Sequence, residues 1–194
     1  MKTTVYQALL MSCAMASVLF MSGCASTATY ENVRTLPLDQ VANTDLSNYT
    51  SVSVMAFEVS PDVTKVDAQF GKAFAGHIAG RLRTDFPALF EEVRWDRRKQ
   101  QPRELIVTGT ISKYVPGSAD LRFAMWLGPS FFNGEVTLKD GGDGHILCTL
   151  SFNKLWAWGG MLGGGKTIDG MVNETAVAIT KTIVQLKNRQ NATK

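Results

Sequence analysis

Charged and apolar positions are unevenly spread along the chain. From Thr3 to Tyr30 there is no charged side chain, and behind Lys2 an apolar run extends to Met21. Residues 25–48 mix small, polar and proline positions with neither helix nor strand period, which predicts a flexible tether. Folded patterning starts after them. Ser51–Val59 alternates, with Val52, Val54 and Ala56 on one side, and its β-branched content predicts a buried strand. Val66, Phe70, Phe74, Ile78 and Leu82 then recur every four residues, so a single helical face carries them all. Asp62 or Thr64 is placed to cap that helix, and Pro87 lies shortly past its end.

Strand patterns return at Phe90–Trp95 and at Leu105–Val115, the second stopped by Pro116 and Gly117. Further strands are predicted over 119–127, 131–139 and 145–157. The last two are joined by Asp140-Gly-Gly-Asp-Gly144, whose glycines supply the positive φ that a tight hairpin connection needs. Ile168–Leu186 is helical again, with Val172, Ile179, Ile183 and Leu186 on one side. The order β-α-β-β-β-β-β-α predicts an α+β fold, a mixed and mostly antiparallel sheet of about five to six strands with two helices packed on one face. No internal repeat is visible.

Positive charge ahead of an apolar run is the arrangement of a secretory signal. The run closes in Leu19-Phe20-Met21-Ser22-Gly23-Cys24, which resembles the lipobox of bacterial lipoproteins. Small residues suit a narrow peptidase site, and the cysteine thiol takes a diacylglycerol in thioether linkage. The resemblance implies cleavage between Gly23 and Cys24 and a membrane partner held through lipid on Cys24, each buried methylene contributing about 0.8 kcal/mol. The rival reading is an uncleaved anchor, since about 18 apolar residues span a bilayer; Gln7, Ser12 and Ser17 weaken it. Ala25 resembles the sorting pattern for the outer membrane, so its periplasmic side is the expected location. The expected organisation is a signal peptide over 1–23, a lipidated cysteine and tether over 24–48, a single α+β domain over 49–190 and a disordered tail over 191–194.

Composition narrows the partners. Hydrophobic residues are 45% and charged residues 19% of the chain, enough apolar side chain for a core and too little charge for disorder. With Lys2 removed, 19 of the 20 basic side chains face 17 acidic ones, a balance that implies no strong polyanion partner, nucleic acid included. Cys13 falls in the leader and Cys24 is consumed by lipid, leaving Cys148 without a disulfide partner.

Gly109-Thr-Ile-Ser-Lys-Tyr114-Val-Pro116-Gly117-Ser118, then Arg122, a strand ending near Asp140, a glycine-rich loop and a final helix resemble a family of bacterial lipoproteins, domain of unknown function family 4410. The likeness covers roughly residues 50–187. It implies an α+β envelope domain of the kind found in secretion and assembly machines, and supplies no catalytic residues. The segment Phe123–Phe132 differs from that pattern in its bulky side chains.

Candidate chemistry is sparse. Gly160-Met-Leu-Gly-Gly-Gly165-Lys166-Thr167 matches a phosphate-binding loop, in which backbone N–H groups would cradle phosphates, Lys166 neutralise them and Thr167 ligate magnesium. Its place near the carboxyl end leaves no room for the usual parallel sheet after it, so a plain glycine connection is the preferred reading. Trp126, Phe131, Phe132 and Trp158 are the candidate partner surface, weighed against burial in the core. Arg94, Arg97, Arg98, Lys99 and Arg103 around Trp95 read as a solvated basic loop, with contact to lipid phosphates as the alternative. His77 and His145 lack metal-ligand spacing, and no metal or other cofactor is expected. Cys148, in phase with Ile146, Leu150 and Phe152, reads as a buried small hydrophobe. The expected role is a noncatalytic, lipid-anchored envelope domain binding a protein or polymer; the alternatives are a nucleotide-using switch or enzyme built on the glycine loop, and a structural homo-oligomer.

Overall fold

Which residues pair, and which face each side chain takes, follows from a sheet interrupted at two defined points. The computed structural model describes residues 44–67, 69–97, 101–116, 130–156 and 168–188. The elements are β1 Ser51–Val54, β2 Glu58–Val59, α1 Phe70–Asp85, β3 Glu92–Trp95, β4 Glu104–Val115, β5 Ser130–Asp140, β6 Ile146–Trp156 and α2 Ile168–Asn188. They form a six-stranded mixed sheet of order β3-β1-β4-β5-β6, with β2 also on β4. β1 is parallel to β3 and β4, β2 is parallel to β4, and the long β4-β5-β6 meander is antiparallel. The α+β class and the two helices match the sequence pattern.

The strand expected over 51–59 is divided. After β1, the Met55 N–H donates to the Val107 carbonyl and the Phe57 N–H to the Gly71 carbonyl, so the chain leaves the ladder to meet α1 before rejoining as β2. The helix also starts later than its apolar spacing suggests: Gln69 is its N-cap, and neither Asp62 nor Thr64 caps it. Asp67 instead accepts the Gln69 N–H in a turn ahead of the helix. Val66 is therefore a turn residue, while Phe74, Ile78 and Leu82 form the buried face as expected. The strand predicted over 119–127 lies outside the described residues.

Helices and sheet share one core. Phe74 meets Phe57 at 5.0 Å, Phe132 at 5.2 Å and Phe152 at 5.9 Å between ring centroids, and Phe132 meets Phe152 at 5.1 Å. Room for these rings comes from glycines in the sheet. A Cβ on Gly109 would stand 2.5 Å from the Phe57 ring, and one on Gly134 would stand 2.5 Å from the Phe152 ring. Gly71 similarly lets α1 approach the Phe57 backbone, where a Cβ would fall 1.9 Å from its carbonyl oxygen. Large rings over missing side chains fill the helix–sheet gap at interior density.

Two register shifts alter which residues face inward. On β4 the pairing steps from Ile111 to Lys113 while β5 advances by one, so Ser112 is the extra residue. The alternation Leu105, Val107, Ile111 is thereby shifted by one, and Tyr114 turns to the helix side against Phe70 and Phe132. On β6 the step from Cys148 to Ile146 leaves Leu147 as the extra residue. Cys148 is buried, as its pattern suggests, but Ile146 is 61% exposed, because the shift turns it out of phase with Leu150 and Phe152.

The packed part takes in residues before 49. Of the stretch expected to be a tether, residues 44–48 are described, and Leu46 among them is fully buried. Lys187 on α2 holds this segment by donating to the Tyr49 carbonyl at 2.5 Å, with the Ser47 and Leu46 carbonyls at 3.4 and 3.5 Å. Phe132→Ala is expected to cost about 3–5 kcal/mol, since it empties the centre of the aromatic group. Urea unfolding followed by circular dichroism checks this, and a loss below about 1 kcal/mol would show that those rings do not organise the core.

Candidate functional site

β-strand alternation sends Arg94 and Trp95, neighbours on β3, to opposite faces of the sheet, and each anchors a distinct cluster. On the face away from the helices, fully buried Glu104 accepts from Ser53 Oγ and lies 3.0 Å from Arg94 Nη1. Arg94 also grips Glu92 through Nε, at 2.6 Å, and Nη2. Its guanidinium is held more firmly protonated than usual, first by that bond to Glu92. Gln101 donates to Ser51 Oγ at 3.0 Å, closing the group over β1. The basic loop expected around Trp95 is thus dispersed. Arg94 is buried and paired, Arg103 donates to the Asn48 carbonyl, and Arg97 is exposed. Arg98 and Lys99 lie outside the described residues.

The β5–β6 connection makes a second group. Asp140, Asp143 and His145 bring potential metal ligands within 4.8 Å of one another. Their oxygens are already engaged: Asp140 accepts from Tyr49 Oη and from the Gly142 and Asp143 N–H groups, while Asp143 accepts the His145 N–H. Tyr49 is raised well above its usual range by burial and the bond to Asp140. The same bond, opposed by desolvation, is the main cause holding Asp140 low. These groups fasten the hairpin to the start of the domain.

On the helix side, Trp95 forms one wall of an open cleft of about 610 Å³ along the solvent face of α1. Ala73, Gly76, Gly80 and Thr84, at helical spacing, make its floor, and Asn173 of α2 reaches the far side. The indole Nε1 donates to the Lys72 carbonyl at 3.0 Å, which fixes the ring, and the residue is 41% exposed. Gly76 accommodates the ring edge: a Cβ there would be 3.1 Å from it. Gly80 is different, because a Cβ there would meet nothing within 4 Å. Glycine inside a helix is about 1 kcal/mol less favourable than alanine. Among the described residues no contact offsets that cost, and the missing side chain leaves the cleft floor open. Arg81 bonds Asp85 and Asn173, and Arg83 donates to the Val93 carbonyl, so both guanidinium groups are held at the rim. His77 also lines the cleft and is exposed. Sequence reading missed this cleft; an interior glycine pair spaced by four on an otherwise regular helix was the available signal.

The expected partner surface is altered. Phe132 is fully buried among aromatic rings and is removed from it, because adjacent residues of a strand face opposite sides. Phe131 is half-buried on the other face, with Lys113 Nζ 4.0 Å above its ring. Trp126, Trp158, the glycine loop with Gly160, Gly165, Lys166 and Thr167, and the Gly23–Cys24 junction all lie outside the described residues. The buried Cys148 thiol is raised by desolvation, the condition of a packing residue rather than a nucleophile. Among the described residues, no helix is long and apolar enough to cross a membrane.

Among the described residues, a six-stranded mixed sheet carrying two helices defines the architecture. Solved structures similar to it include a dodecameric PelC variant from Paraburkholderia phytofirmans, with 15% identity, 70% of this chain and 89% of that one covered, and a TM-score of 0.49. Protein XCC0632 from Xanthomonas campestris, of DUF330, is 7% identical over 78% and 92% of the two chains, with a TM-score of 0.45. Lipoprotein GNA1162 from Neisseria meningitidis is 11% identical over 70% and 99%, with a TM-score of 0.40. Likeness at this level transfers no role. No family model matches the chain, family 4410 included, and no curated protein matches it.

Arg94→Met is expected to lower stability by about 3 kcal/mol in urea, because it takes the guanidinium charge away from a buried carboxylate, and Arg94→Met with Glu104→Leu to restore most of it. Folding depresses the Asp140 pKa, so its stabilisation is present above the ordinary value of 3.8 and is lost as pH falls through the lower folded value. Tyr49→Phe removes the largest cause. Its urea midpoint is therefore expected to fall less steeply than the parent's below about pH 4; parallel profiles would refute the coupling.

Proposed function

We propose that the chain is a lipid-anchored envelope protein whose domain binds another envelope protein or polymer without catalysing a reaction. The observation that carries this reading is the uncharged stretch from Thr3 to Tyr30 with Ser22-Gly23-Cys24-Ala25 inside it, a pattern suited to export, lipidation of Cys24 and delivery to the periplasmic side of the outer membrane.

The domain's geometry supports a division between attachment and binding. Thr44 donates to the Leu147 carbonyl and Lys187 clamps residues 46–49, so the chain from Cys24 joins the domain beside the β5–β6 turn. Residues 116, 130, 156 and 168, which bound the stretches containing Trp126 and Trp158, stand at the other end of the long strands. Eleven-residue strands separate the two ends by roughly 35 Å. On this reading the partner surface, for which Trp126 and Trp158 remain the candidates from sequence, is expected at the end turned away from the point of attachment.

Self-association is the second reading. Among the described residues β6 pairs only with β5, leaving a long backbone edge to which a second copy could add. Cys24→Ser is expected to give an uncleaved, acyl-free chain by mass analysis, lost from the outer-membrane fraction. A variant still cleaved, acylated and partitioning into detergent would overturn the anchorage.

A further inference from the structure

We propose that the cleft between Trp95 and α1 is a binding site for an anionic saccharide, with the indole face carrying a sugar ring and the arginine-lined rim its carboxylate or phosphate. The proposal rests on the domain alone and stands or falls apart from the lipid anchor.

Three features point to this chemistry. The first is a platform. Trp95 spends its only hydrogen-bond donor on the Lys72 carbonyl and rests its edge at Gly76, so the ring is held in one orientation before any ligand arrives. Lys72 Nζ stands 5.8 Å from the ring centroid on one side, and the exposed remainder of this fixed indole offers apolar surface to the C–H side of a pyranose with little entropy to lose. The second is charge. Among the described residues the lining holds two guanidinium groups: Arg81, which pairs with Asp85 at 3.0 Å, and Arg83, which bonds the neutral Val93 carbonyl and so leaves positive charge at the rim, although the whole chain is nearly balanced. Local sign, not net charge, decides what such a surface attracts. Arg81 is held by Asp85 on its own helix and by Asn173 of α2, and Arg83 by the Val93 carbonyl of β3, which fixes both guanidinium groups around the opening.

The third feature separates a sugar from a peptide. A bound helix or strand needs apolar pockets for its anchoring side chains. Here the floor is made of alanine, two glycines and Thr84, and around the indole stand Asn173, His77 and the arginines, groups that with the threonine suit hydroxyls. Gly80 gives the site its depth, since among the described residues nothing packs where its side chain would be.

The test is titration of the full chain in detergent micelles with oligogalacturonate, read by calorimetry, against neutral cello-oligosaccharide and polyglutamate. Oligogalacturonate is expected to bind, more weakly as salt rises, and the other two at least about tenfold less well. Trp95→Ala and Gly80→Leu are each expected to weaken it about tenfold or more. Gly80→Leu fills the floor while favouring the helix, so its thermal midpoint should hold or rise, which separates loss of the site from loss of the fold. Absence of oligogalacturonate binding overturns the proposal, as does equal binding of the neutral sugar or of polyglutamate. Binding untouched by Gly80→Leu would likewise place the ligand elsewhere and overturn it.

Discussion

The structure depends on aromatic rings seated over glycines. Phe57 occupies the space that a side chain on Gly109 would need, and Phe152 does the same at Gly134. Phe74 and Phe132 bridge the two, so α1, β4, β5 and β6 meet at one set of contacts. Neither component suffices alone. Glycines in the middle of strands weaken them, and rings of this size cannot enter a gap already filled by β-carbons. Together they set the height and position of α1 over the sheet, and everything on α1's outer face inherits that placement, including the cleft beside Trp95.

The elements were legible where burial and period agree. Phe74, Ile78 and Leu82 recur on one helical face, and that face is the buried one. β4, β5, β6 and α2 fall close to their patterned limits for the same reason: each presents one apolar side to the core. What period could not show was a change of phase. Ser112 and Leu147 are extra residues in their ladders, and nothing in their own chemistry marks them; the rotation they impose on Tyr114 and Ile146 follows from pairing with β5. The break after β1 is of the same kind, because Val52 and Val54 continue smoothly into Ala56 in sequence, and only the approach of α1 at Gly71 draws Phe57 out of line. Leu46 escaped notice because one apolar residue among polar ones has no period at all.

Sites were less legible than elements, and for a physical reason. A cluster of like residues in sequence is scattered by strand alternation. Arg94, Trp95, Arg97 and Arg103 read as one basic loop, yet Arg94 and Trp95 face opposite sides and Arg103 turns to the Asn48 carbonyl. Phe131 and Phe132 part in the same way. The cleft, conversely, is assembled from residues far apart in the chain, with β3, α1 and α2 each contributing a wall.

Shifted protonation in this domain marks joints rather than chemistry. Perturbed groups in a fold are often functional, but ion pairs and buried hydrogen bonds perturb them equally. Tyr49 and Asp140 shift because they bind each other across the start of the domain and the β5–β6 turn. Asp96 is lowered first by Lys72, which ties the end of β3 to α1, and Lys187 is lowered by burial beneath the segment it clamps. The Tyr49, Asp140 and Asp96 shifts each involve a hydrogen-bonded partner on another element, and the Lys187 shift comes from burial where two segments meet. The cleft beside Trp95 follows a different logic. Its arginines also brace neighbouring elements, but they do so around open space, and the helix carries a glycine whose cost no packing contact among the described residues offsets. Stability would be served by alanine at position 80; an open floor is what glycine provides instead, and a ligand filling that space gives the departure a physical purpose.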